Sequence, residues 1–160
     1  MSKLKILDLF SGAGGLTEGF RSKNFDFICH IEMDKDACYS LKTREAFYYL
    51  NHTNQLEVYN AYLTGELSRE ELYAYVPKEI LDKIENLEIN SKNLEKIFQI
   101  IDSKSANKKI DGIIGGPPCQ AYSTIGRVQN KSKKESDDRI YTSNIDYKCF
   151  HYCSSTCFFS

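Results

Sequence analysis

A short apolar run, Ile110-Asp111-Gly112-Ile113-Ile114, passes directly into Gly115-Gly116-Pro117-Pro118-Cys119-Gln120, and this junction limits what the chain can fold into more than any other stretch. An apolar strand that ends in Gly-Gly-Pro-Pro presents one thiol, Cys119, at the strand's carboxyl end. That is the edge at which open α/β sheets bind ligands and do chemistry. The prolines fix φ near −65° and the glycines permit a close turn, so backbone stiffness sets the thiol's position. A nucleophile gains from such placement, because orientation already fixed lowers the barrier. Read from the loop alone, Cys119 is equally well an ordinary small apolar residue after a turn.

A chain of 160 residues is long enough for one domain with a real core. With 21 Lys and Arg against 22 Asp and Glu the net charge is −1, so no global basic field announces nucleic acid, although local basic patches remain compatible. No apolar run approaches the roughly 18 residues of a membrane span, and the start Met1-Ser2-Lys3-Leu4-Lys5 lacks the apolar stretch of a secretory signal. A cytoplasmic protein without membrane partners is expected, with its six cysteines reduced rather than paired.

At the other end of the chain, Leu4-Lys5-Ile6-Leu7-Asp8-Leu9-Phe10 reads as a strand. It runs into Ser11-Gly12-Ala13-Gly14-Gly15, after which Leu16 and Phe20 have helical spacing. Glycines let backbone approach a ligand, and the free N–H groups of a helix start favour a polar or anionic group. Phe25-Asp26-Phe27-Ile28-Cys29-His30-Ile31 makes a second strand ending at Glu32, about twenty residues beyond the first glycine. A carboxylate there can accept hydrogen bonds from both ribose hydroxyls of an adenosine. With Asp8 before the turn and Glu32 after the next strand, the segment makes an adenosine-cofactor half-site. Cys29 and His30 are better placed for core packing than for a metal, since no second Cys/His pair lies at ligand spacing nearby. Asp34 or Asp36 caps a helix carrying Ala37, Leu41, Ala46 and Phe47 to about Leu50.

From about 51 to 109 the spacing predicts an inserted helical segment. Leu56, Tyr59, Tyr62 and Leu63 share a face, with Gly65 ending that helix. Ser68-Arg69-Glu70-Glu71 is a capping box, and Pro77 opens another helix carrying Ile80, Leu81, Ile84 and Leu87. Leu94, Ile97, Phe98 and Ile101 form the last stripe. After Gln120, Lys131, Lys133 and Lys134 sit in a mixed-charge stretch that suits a solvated loop or contact with phosphates. From 142 to 160 the composition shifts to Ser, Cys, Phe and Tyr. Cys149, Cys153 and Cys157 match no standard zinc spacing, even with His151 among them. This tail is expected to be aberrant, as from a shifted reading frame.

Taken together, Asp8-Leu9-Phe10-Ser11-Gly12-Ala13-Gly14-Gly15 and Gly116-Pro117-Pro118-Cys119-Gln120 resemble, in order, the first and fourth signature motifs of the DNA (cytosine-5)-methyltransferases, and Glu32-Met33-Asp34 resembles the second. The resemblance runs over about residues 3 to 141. The helical insertion and the wording Gly-Gly-Pro-Pro-Cys-Gln-Ala-Tyr-Ser look like a bacterial restriction-modification subgroup. It implies an α/β fold: an incomplete Rossmann-like S-adenosylmethionine-dependent methyltransferase sheet with a helical insertion. It also implies that Phe10, Ser11, Gly12, Gly14 and Leu16 contact S-adenosylmethionine, with Glu32 on the ribose and Met33 against the adenine. Glu88, within Asn86-Leu87-Glu88-Ile89, is the candidate for the third motif's contact to the adenine amino group. Cys119 is implied as the nucleophile towards a flipped cytosine in double-stranded DNA. Pro117, Gln120 and Ser123 would lie against cofactor or DNA backbone, no metal is required, and a cognate restriction endonuclease is an expected partner.

Four of the family's later elements have no counterpart: the Glu-Asn-Val motif, an Arg-x-Arg motif, a target-recognition domain and the closing Asn-containing motif. The chain therefore reads as the N-terminal part of such an enzyme, expected to be inactive alone, or as the S-adenosylmethionine-binding half of a split one. A nicotinamide oxidoreductase would share the glycine turn but has no reason to carry Pro-Cys-Gln. With so few strands specified, exposed apolar sheet edges and poor solubility are also expected.

Overall fold

The computed structural model describes residues 3–22, 24–106 and 109–116, and the backbone of Cys157–Phe159. The elements follow in the order β1 (Leu4–Leu9), α1 (Gly15–Gly19), β2 (Phe25–Glu32), α2 (Lys35–His52), α3 (Leu56–Leu63), α4 (Arg69–Ala74), α5 (Lys78–Leu81), β3 (Ile84–Asn86), α6 (Leu94–Ser105), β4 (Gly112–Gly115) and β5 (Cys157–Phe159). The strands form one sheet of order β3-β2-β1-β4-β5, and all four pairings are parallel. The chain adds β2 and β3 on one side of β1 and then returns to add β4 on the other. The reversal falls between β1 and β4, and the carboxyl ends of the strands at such a point are where open α/β sheets bind ligands.

Each face of the sheet is covered by helix, as parallel strands require. Leu7, Leu9, Cys29, Ile31 and Ile113 bury against Ile97 and Ile101 of α6. On the opposite face Cys38 and Leu41 of α2 pack on Ile84. α1 lies on that face too, since Arg21 just beyond it pairs with Glu45 of α2, and Tyr48 donates to Glu18 at 2.6 Å. A separate cluster of Ala46, Leu50, Leu72, Val76 and Leu81 joins α2 to α4 and α5.

Local signals in the sequence account for most of the boundaries. Asp34, rather than Asp36, caps α2, its Oδ1 accepting from the Ala37 N–H at 2.8 Å. Ser68 and Glu71 form the reciprocal capping box of α4. The helix expected after Pro77 to carry Ile84 and Leu87 stops at Leu81. Ile84–Asn86 instead pairs with His30–Glu32 as β3. The segment 51–109 is thus not helical throughout. α3 to α5 are the inserted part, while β3 and α6 belong to the sheet and its covering layer, because β2 offers an open backbone edge that Ile84–Asn86 pairs with. Cys157–Phe159, inside the tail expected to be aberrant, pairs with Ile113–Gly115 as β5. Among the described residues no helix is long and apolar enough to cross a membrane.

β2 carries one irregularity. Ile6 pairs with Phe27 but Leu7 with Cys29, so Ile28 is an extra residue in the ladder. The bulge brings Phe27 and His30 to one face, where their rings stack with centroids 5.1 Å apart.

Candidate active site

The carboxyl ends of β1, β2, β3 and β4 come together along one edge, and nearly all the described candidate residues lie on it. Phe10 leaves β1 in the left-handed region at φ 57°, a conformation that costs a bulky residue roughly 1–2 kcal/mol and here turns the chain into the glycine loop. Its ring packs against the core. Ser11 is buried. Its hydroxyl donates to the Asp8 carbonyl at 2.9 Å and its N–H to the Ile31 carbonyl at 3.2 Å. The N–H of Gly12 donates to Glu32 Oε2 at 2.8 Å. Gly14 has φ +86°, a backbone conformation that favours glycine, and an added Cβ would also press on the Leu41 side chain, 2.5 Å from its Cδ2. Arg44 of α2 donates to the Gly14 carbonyl at 3.0 Å. Leu16, half-buried, lies in the first turn of α1 beside the loop.

Glu32 ends β2 as a held carboxylate. Oε2 takes the Gly12 N–H and Oε1 takes the Asp34 N–H, each at 2.8 Å, which leaves further lone pairs for other donors. Met33 beside it is 64% exposed. β3 brings the third-motif candidate to the same place. The Leu87 N–H donates to the Glu32 carbonyl at 2.9 Å, and Asn86 Nδ2 donates to the Met33 carbonyl at 2.8 Å. Glu88, exposed, accepts from Asn90 Nδ2 at 2.7 Å. Register places Gly115 opposite Leu9, so Gly116 leaves the sheet next to Phe10. Pro117, Cys119, Gln120 and Ser123 lie outside the described residues.

Four further groups support this edge. Asp8, Thr17 and His30 form a buried polar cluster under the loop, and Asn86 grips the turn after β2. Their sequence signals were a carboxylate inside an apolar strand and a histidine three residues after an aromatic one. Around Glu18, burial pushes the carboxyl up. The Tyr48 hydroxyl and the Arg21 and Arg44 guanidiniums outweigh that effect and hold it below the ordinary carboxylate range. A cavity of about 670 Å³ lies away from the edge, between α2 and the inserted helices, lined by Tyr39, Arg44, Phe47, Tyr59, Tyr62 and Arg69. Among the described residues no group of His, Cys, Asp and Glu has the arrangement of a metal site.

Cys29 and Cys38 are buried free thiols. Burial pushes the Cys29 thiol from an ordinary 9.0 up to about 12, and burial likewise raises Cys38. Both are therefore expected to resist alkylation in the native chain at pH 8 and to react only after unfolding, as peptide mapping by mass spectrometry would show. Because the folded pKa of Cys29 exceeds its unfolded one, the stability linked to its thiol is complete below pH 9. It is lost as pH rises from about 9 towards 12. Alkaline titration of the melting temperature should therefore fall through that window.

The architecture is that of a parallel α/β domain with a glycine loop at its topological switch point, the class that binds nucleotide-containing cofactors. The profile of the family described as C-5 cytosine-specific DNA methylase matches residues 4–61 and 75–145, and the chain belongs to that family. Type II methyltransferase M.Bpa9945I of Bacillus paralicheniformis is 36% identical over 157 residues, covering 85% of this chain and 35% of the relative. Type II methyltransferase M.FnuDI of Fusobacterium nucleatum is 32% identical over 79% of this chain and 24% of its own length. DNA (cytosine-5)-methyltransferase PliMCI of Paracentrotus lividus is 26% identical over 94% of this chain and 8% of its own. The chain thus spans about a third or less of these relatives.

Proposed function

We propose that this chain is the N-terminal part of a restriction-modification DNA (cytosine-5)-methyltransferase and supplies its S-adenosylmethionine site and its nucleophile. The strongest support is the convergence at the switch point of the glycine loop, the backbone-held Glu32 and the strand that leads to Cys119. Gly12 has open space around it, which keeps the loop's outer surface free for a ligand. Glu32 retains lone pairs for the ribose hydroxyls, and exposed Met33 offers an apolar surface to an adenine. The residues present therefore fit the cofactor. Phe10, Ser11, Gly12, Gly14 and Leu16 would line it, Glu88 would reach the adenine amino group, and Pro117 and Gln120 would also contact it.

S-adenosylmethionine supplies the methyl group. The rest of the chemistry falls to Cys119 and to a cytosine withdrawn from the duplex, since a thiol cannot reach the ring inside a base stack. Addition of the Cys119 thiolate to carbon 6 gives carbon 5 enamine character, so that it accepts the methyl group. Loss of the carbon 5 proton then expels the thiolate and restores the ring. A thiolate suits both ends of this sequence, being a strong nucleophile and a good leaving group. The substrate is double-stranded DNA, a cognate restriction endonuclease is the natural partner, and the compartment is the cytoplasm. Residues 1–141 are the methylase part and 142–160 an aberrant tail. Translating the coding DNA from about codon 135 in all three frames would test that boundary, an aliphatic strand followed by Glu-Asn-Val in another frame being the expected result.

Calorimetric titration with S-adenosylmethionine tests the cofactor reading on this chain as it stands. Saturable binding is expected, and Glu32→Gln should weaken it roughly ten- to hundredfold, because the amide's NH₂ faces a backbone N–H and one charge-assisted acceptor is lost. Wild-type protein that never saturates would overturn the assignment. A non-catalytic binding half of a split enzyme is the second reading, supported by the chain's spanning only 35% of its Bacillus relative. Co-expression with the downstream reading frame decides it: restored methylation means a split enzyme, and none means an inactive fragment.

A further inference from the structure

Beneath the glycine loop, Asp8 of β1 is 1% exposed, Thr17 of α1 0% and His30 of β2 2%. Asp8 Oδ2 accepts from the Thr17 hydroxyl and from His30 Nδ1, the latter at 3.0 Å. The His30 ring is held on its other side by the stacked ring of Phe27, which the bulge at Ile28 brings within reach. Asp8 Oδ1 is buried with no hydrogen-bond partner among the described residues. A carboxylate withdrawn from water with one oxygen unsatisfied is an expensive way to fill space, and apolar residues of similar volume would pack there at lower cost. What the arrangement does supply is fixed geometry, as fully buried polar networks do.

That geometry is transmitted to the loop by short paths of hydrogen bonds and backbone. Ser11 is suspended from two carbonyls, its hydroxyl on Asp8 and its N–H on Ile31, so one anchor belongs to the cluster and the other adjoins His30. Gly14, at the loop's far end, donates back to the Ser11 carbonyl at 3.0 Å and opens the helix that carries Thr17. The cluster thus ties both ends of the loop and the second strand to a single carboxylate. We propose that Asp8, Thr17 and His30 are positioning residues for the 10–14 loop, which they hold in its cofactor-ready form without touching the ligand. This rests on the S-adenosylmethionine reading for its consequence in binding, but not for its consequence in loop order.

Two measurements on the full chain separate these. The first is amide hydrogen exchange at Ser11, Gly12 and Gly14. Thr17→Val removes the hydroxyl at constant shape and should speed exchange there by roughly tenfold relative to wild type, whereas Thr17→Ser should restore protection. Ile101→Val, a core trim on the opposite face, serves as a control for general destabilisation and should leave the loop within about threefold of wild type once global stability is matched. If Thr17→Val does not fold, His30→Phe keeps the stack on Phe27 while deleting the donor and should give the same loop-confined effect. Loop exchange no faster than in the Ile101→Val control would overturn the proposal. The second measurement is titration with S-adenosylmethionine, where Thr17→Val should lose about tenfold in affinity and Thr17→Ser should recover it. If wild type itself does not bind, the cofactor reading fails while the exchange result still decides the positioning role. If wild type binds and Thr17→Val binds equally well, the positioning role is overturned although the cofactor site stands.

Discussion

Replacing Gly115 by alanine is expected to lower stability by about 3 kcal/mol, or roughly 6–12 °C in melting temperature, the largest loss of any single added methyl in the sheet. A Cβ at that position would stand 2.3 Å from the backbone oxygen of Leu9 and 3.2 Å from its carbonyl carbon. Neither atom can swing aside as a side-chain tip can, so β4 would have to part from β1 at the point where Leu9 faces Gly115. Its neighbours provide the comparison. At Gly112 the nearest atom to an added Cβ is Ile6 Cδ1 at 3.0 Å, the flexible end of a side chain, and at Gly116 there is nothing within 4 Å. Gly112→Ala should therefore cost less than about 1 kcal/mol and Gly116→Ala close to nothing, the order Gly115, Gly112, Gly116 being read from thermal melts. Equal melting temperatures for the Gly115 and Gly116 variants would show that β1 and β4 do not approach as described. The double glycine before Pro117 thus answers two needs: the first lets two strands meet, and the second opens the loop that carries Cys119.

The parts of this fold that the sequence announces are those set by local chemistry. Asp34 caps α2 and Ser68 with Glu71 caps α4 because a side-chain oxygen three residues from a free N–H satisfies it whatever the rest of the chain does. The glycine loop and Glu32 were legible for a similar reason: a strand, a turn with left-handed backbone and a second strand ending in an acid fix their own relative placement within thirty residues. β3 was not legible. Ile80, Leu81, Ile84 and Leu87 have helical spacing, and a strand of three residues is too short to show alternation. It exists because the edge of β2 at His30–Glu32 needs hydrogen-bond partners, a demand made by residues more than fifty positions away. The bulge at Ile28 and the left-handed Phe10 escaped for the same reason, since neither residue type advertises its backbone. Asp8 is legible as an acid ahead of the turn, but its partners Thr17 and His30 converge on it only once the sheet has formed.

Cys119→Ser should separate the two capacities proposed for this chain. In a complete enzyme carrying this N-terminal part, methyl transfer is expected to fall by more than roughly a thousandfold, because a serine hydroxyl ionises far less readily than a thiol and leaves carbon 6 far less easily. In the isolated chain the same substitution should leave S-adenosylmethionine affinity within about twofold, since the role proposed for the sulfur is towards the cytosine and the proposed cofactor contacts of the described edge come from Phe10–Leu16, Glu32, Met33 and Glu88. The contrast with Glu32→Gln is the informative part: one variant should bind without methylating, the other should lose binding first. Methylation by Cys119→Ser at the wild-type rate would remove Cys119 as the nucleophile, and the stiff Gly-Gly-Pro-Pro turn would then need another purpose. A matched loss of both activities would instead mean that the loop following Gly116 shapes the cofactor site as well as presenting the thiol. That outcome is physically reasonable where β4 and β1 lie side by side, with Gly115 opposite Leu9 and the two loops leaving the same edge.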